Sequence, residues 1–521
     1  MRGAVAGAGA GDAGEEALKS EAKYRVWYRD DEGCAGAVRR GEGVAVELSA
    51  YGANDFVLDF LVGSGLWSVM AGMRPDGLRK ENGKPWRAMN GVEVLRELAR
   101  IDRIARCGKI VRDTRLMMIA GFNAEAVAKA RGRRAPVVTP ETLANHLARI
   151  SPRSAAQTFY DQVALLRRQR WIRGKTYAAD AHEIIVPYGR QAQRLGKVGE
   201  AHGYKLVLLL NIAEERERAV GFVLAPLHRS ERTLLRVILR QLEQRFGPVG
   251  DWMETLVLDR GYWGAEYLLK LRARYGVDVV TRAQHEDLGI VRDIQGLLTL
   301  PHLSWRRWSE THSRLGKMEV RGVGLEGLTA RNKEGREVGL LNAVVADEYD
   351  LKGGRLLDEN GRERPRVYYV TTMPTAQKPQ RTRRFYRKRW VIENQGFREL
   401  TQQWALDRLA GRKFNALNSR IAFALMLYNA ERVLRMRHPG AWQEEQRRLR
   451  AQGERALMAG PSLACYTPEG QLGLFSPHEY ERLIALRERD RVVRTLREGL
   501  ASGESLERTL ERLDEPPPPT A

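Results

Sequence analysis

At 521 residues the chain is too long for one hydrophobic core and predicts roughly two to four domains. Its 87 Lys and Arg against 65 Asp and Glu leave a net charge of +22, which points to a polyanionic partner, nucleic acid foremost. Cys34, Cys107 and Cys465 are too few and too scattered for a disulfide framework or a CxxC zinc knuckle, and no run of 18 apolar residues marks a membrane span. A reducing cytoplasm and no membrane partner are therefore expected.

Residues 1–53 read as a leader, disordered through its Ala/Gly-rich start, followed by an unassigned segment. Helical periodicity begins near Asn54 and is clearest in Val92, Leu95, Leu98, Ile101 and Ile104, then in Leu143, Leu147 and Ile150. Thr139-Pro140-Glu141 is a helix start: hydroxyl cap, proline at the first helical position, acid near the positive end. Residues 54–170 thus predict an all-helical domain with arginines on its outer faces.

From Thr176 the period changes to strands, at 176–186, 205–212 and 218–224, followed by a helix from Glu231 with Leu234, Leu235, Ile238 and Leu242 on one stripe. Strand 255–259 ends in Asp259, a helix covers 263–275, and strand 277–282 follows. This alternation implies a mixed α/β sheet. A Gly- and Arg-rich stretch, 283–365, reads as a β-rich insertion before strand 367–372, a strongly basic helix, and another with Leu417, Ile421, Leu425 and Tyr428 aligned. The segment 436–521 reads as a charged helical tail ending in the prolines 516–519.

Three acids stand out by position. Asp180 lies within the first strand, Asp259 ends a strand, where open sheets place ligands, and Glu393 is the lone acid among seven cations between Arg381 and Arg398. In an α-helix Tyr386, Arg389 and Glu393 share one face. A strand-end Asp is often only a turn former, and Arg389–Glu393 an ordinary ion pair. Convergence of the three acids would instead create a repulsion that divalent cations relieve. Mg²⁺ suits such hard oxygen ligands, and two ions about 3.5–4 Å apart support in-line displacement at phosphorus.

The Tyr-x₂-Arg-x₃-Glu run, with Asp180 and the Leu-Asp-Arg-Gly-Tyr-Trp segment at Asp259, resembles the DDE transposases of bacterial insertion sequences, in the group called the fourth insertion-sequence family. That group places a Lys seven positions after the Glu; here it is Leu400, which puts one phosphate contact in doubt. The resemblance covers about 170–435. It implies a ribonuclease-H-like catalytic domain over 171–435, with the β-rich insertion between its second and third acids and a helical domain at 54–170 that binds DNA ends or dimerises.

It further implies Asp180, Asp259 and Glu393 as ligands of two Mg²⁺ (or Mn²⁺) ions. These would serve cleavage at the ends of an element in double-stranded DNA and strand transfer into a target, by a homodimer on DNA in the nucleoid. Tyr386 and Arg389 would hold the terminal phosphate. Arg282, just past a strand, is either a phosphate contact or a surface residue. Trp305 and Trp308 either stack on a base flipped from the terminus or pack within the insertion. His182 and Glu183 read as supporting or structural. A nuclease that cuts without joining and a DNA-binding derivative without catalysis are the alternatives.

Overall fold

The structure is a computed structural model that describes residues 28–42, 45–49, 55–77, 84–186, 192–213, 217–283, 289–312, 316–358, 360–407, 412–440, 462–467 and 469–514. The expected leader start (1–14) and the proline run (516–519) lie outside them. The chain divides into two compact units, one of residues 163–407, the other of 1–162 together with 408–521.

The 163–407 unit is built on one sheet of ten strands: β1 (Thr176–Ile185), β2 (Gly196–Val198), β3 (Ala201–Asn211), β4 (Arg218–Pro226), β5 (Thr255–Leu258), β6 (Asp278–Arg282), β7 (Arg306–His312), β8 (Gly316–Arg331), β9 (Glu337–Tyr349) and β10 (Val367–Thr371). Their order is β2-β3-β1-β5-β6-β10-β9-β8-β7, with β4 also paired to β3. Only β1–β5 and β5–β6 are parallel. The middle of β3, Leu206–Leu210, is apolar without a break and wholly buried, as expected of a strand covered on both faces.

Helix α1 (Glu231–Phe246) packs its predicted leucine stripe against β3 and β4. Helices α2 (Ala265–Tyr275) and α3 (Gly289–Leu297) lie on later strands. Helix α4 (Pro379–Lys388) crosses β5, β6 and the strands beyond, ahead of a short α5 (Arg398–Gln402). The stretch 283–365, expected as a β-rich insertion, carries strands β7 to β9 and helix α3. Its strands β7 to β9 extend the same sheet through β10, because β10 pairs with β6 on one side and β9 on the other.

In the other unit, helices Asp55–Gly63, Trp86–Leu98, Thr114–Ala120, Pro140–Arg149 and Phe414–Arg437 surround a core that includes buried charge. Thr139 caps its helix as its sequence predicts, accepting from Thr142 N–H at 3.1 Å. Not all the arginines lie outside: Arg96 is buried against Glu93 at 2.7 Å, and Arg420 against Glu97 at 3.0 Å. These cations are neutralised within the fold by acids buried with them, so the count of basic residues overstates the cations offered to a polyanion, while the net charge is unchanged.

The unassigned early residues and the tail are not independent segments either. Tyr28–Arg29, Gln471–Phe475, Ser462–Tyr466 and Ala45–Ser49 pair, in that order, into a four-stranded sheet. Cys34, Val38, Cys465 and Phe475 form a core beneath helix Pro477–Ala501. The division 1–53, 54–170, 171–435 and 436–521 is replaced by this one. Period and composition report local structure, and pairing between strands more than 400 residues apart leaves no trace in either.

Candidate active site

Register alone puts three of the candidate residues in a row. In the parallel pair β1–β5, Ala179 stands opposite Leu258, so the next residues, Asp180 and Asp259, come side by side. In β5–β6, Val257 stands opposite Val280, so two residues later Asp259 is level with Arg282. Side chains in matched register share a face. The Thr281 hydroxyl secures the turn by donating to the Asp259 carbonyl at 3.2 Å.

The helix that crosses this row is not continuous. α4 ends at Lys388, the chain tightens around Arg389 through i→i+3 bonds (Arg389 N–H to Tyr386 O, Ile392 N–H to Arg389 O), and Ile392–Phe397 then forms a π-helix. The expected single α-helical face is thus replaced by a tight turn followed by a wide one, an irregularity frequent at functional sites. Tyr386, Arg389 and Glu393 still reach one place.

That place is the Arg389 guanidinium. Its Nη1 lies 3.2 Å from Asp180 Oδ2, 3.5 Å from Asp259 Oδ1 and 2.7 Å from Glu393 Oε1. Burial pushes the Asp180 carboxyl up to about 7 despite the opposing charge of Arg389. Burial works against the Arg389 charge as well, yet the Tyr386 phenol and the acids hold its pKa above the ordinary arginine range. Tyr386 is buried, with the Arg389 guanidinium 5.5 Å from its ring centroid, and burial raises its hydroxyl to about 12. Arg282, level with Asp259 in the sheet register, bears on that hydroxyl by its charge.

The remaining candidates have different surroundings. Trp308 is engaged in the fold: its Nε1 donates to Glu310 at 2.7 Å, and its ring covers Gly322 so closely that a Cβ there would meet it at 2.5 Å. Trp305 is exposed, with the Arg366 guanidinium 5.5 Å from its ring centroid. His182 stacks on Phe397 (centroids 5.2 Å apart) and reaches Asp407 at 2.5 Å, tying β1 to the end of the π-helix. Glu183 is held by Lys205 at 3.5 Å. Leu400 is fully buried.

A group that sequence reasoning missed anchors α4. Arg383, almost wholly buried, donates to both oxygens of Glu310 (3.2 Å each), to Glu348 (2.6 Å) and to the Tyr369 hydroxyl (3.1 Å). Arg387 also pairs with Glu310, and Lys388 donates to the Ala213 carbonyl. Much of the basic run therefore fixes the helix to β7, β9 and β10. The only available signal was the absence of any acid in α4 itself, which requires its buried cations to find partners elsewhere.

Three carboxylates suit a hard divalent cation in donor chemistry, and their shared approach to one nitrogen shows that they can face a single cation. As they stand, with the guanidinium among them, they are not set for ligation, and among the described residues no trio of His, Cys, Asp or Glu is. No described helix is long and apolar enough to cross a membrane. No curated protein matches the chain. The profile of the transposase DDE domain family matches residues 173–430, the stretch that carries all three acids, and the chain belongs to the DDE transposases of insertion sequences.

Proposed function

We propose that this transposase cuts double-stranded DNA at the ends of its element and joins the freed 3′-hydroxyl to a target, in the cytoplasm at the nucleoid. Asp180, Asp259 and Glu393 would hold Mg²⁺ or Mn²⁺, two ions per site. The observation that carries this reading is the meeting of the three acids on Arg389 Nη1. Bound there, the ions would supply Lewis acidity at the scissile phosphate and lower the pKa of the attacking hydroxyl group.

The chain's own residues supply position and charge. Arg389, now neutralising the acids, would turn to a DNA phosphate, where a guanidinium makes paired hydrogen bonds. Tyr386 and Arg282, on the same side of the row, would hold the neighbouring backbone. Burial of Asp180 and Arg389 keeps bulk water from weakening these interactions. Trp305, which is exposed, would be the tryptophan to stack on a displaced base. Two element ends must be handled together, which favours a homodimer on DNA.

A strand-transfer assay tests this: a pre-cut duplex with a free 3′-hydroxyl, target plasmid and Mg²⁺, with wild type against Asp259→Asn. Joined product from wild type alone is expected. Cleavage without joining identifies a nuclease. A second reading, a DNA-binding derivative without catalysis, draws on Leu400, whose full burial excludes a phosphate contact at that position. It predicts DNA binding indifferent to Mg²⁺ and no cleavage by wild type.

A further inference from the structure

His182 and Phe397 meet beside the three acids. On β1, His182 follows Asp180 by two residues, so both side chains leave the same face of the strand. On the π-helix, Phe397 follows Glu393 by four residues, about one turn where the bonds run i→i+5. The two rings stack, with centroids 5.2 Å apart and planes at 25°. One contact thus joins the strand that carries Asp180 to the helix that carries Glu393.

The imidazole is fixed in its plane by Asp407, whose Oδ1 lies 2.5 Å from Nε2; a carboxylate only accepts, so the imidazole donates. Phe397 is buried, and its neighbour Gly396 lies so close to Leu210 that a Cβ there would stand 3.1 Å from Leu210 Cδ1. A π-helix is rare, so its placement has to come from what it touches. Glu393 depends on that placement. Among the described residues its side chain is hydrogen-bonded to Arg389 alone, at 2.7 Å, and is 43% exposed. Once Arg389 turns to a DNA phosphate, only the backbone of the π-helix determines where this carboxylate stands relative to Asp180.

We propose that His182 is a positioning residue of the catalytic centre: its stack on Phe397 sets the separation of Glu393 from Asp180, and so the span that a divalent ion must bridge. This rests on the metal-holding role proposed for the three acids. The role asks for a flat ring, not for a proton or a ligand nitrogen, so another aromatic ring should serve in its place. Supports of this kind orient the ligands of a metal, and their loss typically costs about 10–100-fold in metal affinity.

The test uses the full chain, without DNA. Mn²⁺ binding is measured by calorimetry for wild type, His182→Phe and His182→Ala, with circular dichroism to show that each is folded. His182→Ala should bind Mn²⁺ about 10–100-fold more weakly than wild type. His182→Phe keeps the ring, loses both nitrogens, and should bind nearly as wild type does. Wild-type affinity in a folded His182→Ala overturns the proposal. So does a loss in His182→Phe as large as that in His182→Ala, which would make an imidazole nitrogen, not the stack, the group that matters. If His182→Ala does not fold, Phe397→Leu, which removes the stack from its other side, is compared with Phe397→Tyr, and the same outcomes decide. Mn²⁺ binding that is absent from wild type, or unchanged by Asp259→Asn, sinks the metal reading and this inference with it. A clear loss in Asp259→Asn beside an unaffected His182→Ala sinks only the inference.

Discussion

Arg389 and Asp180, 209 residues apart in the chain, are joined by a hydrogen bond of 3.2 Å from Nη1 to Oδ2. The same nitrogen reaches Asp259 and Glu393, so one cation compensates three acids drawn from the middle of one strand, the end of another and a π-helix. On the proposed function the arrangement would tie DNA binding to catalysis: whatever attracts the guanidinium would free the carboxylates, and whatever fills the carboxylates would free the guanidinium. By linkage, phosphate and divalent ion should each strengthen binding of the other.

Removing the cation should therefore be costly only where nothing replaces it. Arg389→Ala is expected to lose about 3–5 kcal/mol of stability in chelator, because Asp180 stays buried without its partner. Added Mn²⁺ should recover much of that loss. Calorimetric melting with and without Mn²⁺ checks this, and an equal deficit under both conditions would count against the exchange.

Among the acids, Asp180→Asn, Asp259→Asn and Glu393→Gln should each lower cleavage by about 10³-fold or more while DNA affinity changes little. Filter binding and a gel cleavage assay measure the two separately. A variant that cleaves at the wild-type rate removes its residue from the site.

The pieces of this site were unequally legible in the sequence. The strands carrying Asp180 and Asp259 show as apolar runs with an acid within or at the end, because strand burial and the pleat are local rules. Glu393 shows as a lone acid among cations. The π-helix does not, since a wide turn is imposed by what the helix must reach, and the α-helical spacing gives the right residues for a different local geometry. The Arg383–Glu310–Glu348 cluster and the small sheet joining residues near 45 to residues near 465 were hidden for one reason: both depend on partners far away in the chain.

Anchoring of α4 through Glu310 can be measured directly. Despite its burial, the Arg383 and Arg387 charges and the Trp308 N–H hold the Glu310 carboxyl below the usual carboxylate range. Glu310→Gln should cost about 1–3 kcal/mol and alter Trp308 fluorescence. Combined with Arg383→Met it should be less than additive, because the two share one interaction. Additive losses in urea melts would separate them.

Stability should also fall on the acid side of neutrality through His146. Its Nε2 lies 2.8 Å from Asn90 Oδ1, while Asn90 Nδ2 donates to the carbonyls of Ala71 and Met73, so the imidazole must be the donor in this pair. Burial, helped by the Arg149 charge, pushes His146 down to about 3. The unfolded chain takes up a proton near pH 6.5 and the folded one does so only near 3. The stability contributed is therefore complete above about 6.5 and is lost as pH falls toward 3, a loss of about 2 kcal/mol by pH 5. His146→Gln should flatten that part of the pH–stability curve, and an unchanged slope would exclude His146 as its source.

The most direct test of the central claim is to let the ion report its own position. With Fe²⁺ in place of Mg²⁺, ascorbate and peroxide generate radicals at the bound metal that cut the nearby polypeptide, and the fragment ends are read by mass spectrometry. The account predicts cuts beside Asp180, Asp259 and Glu393 together, suppressed by excess Mg²⁺ and lost in Asp259→Asn. Cuts confined to one of these places, or gathered elsewhere in the chain, would contradict it.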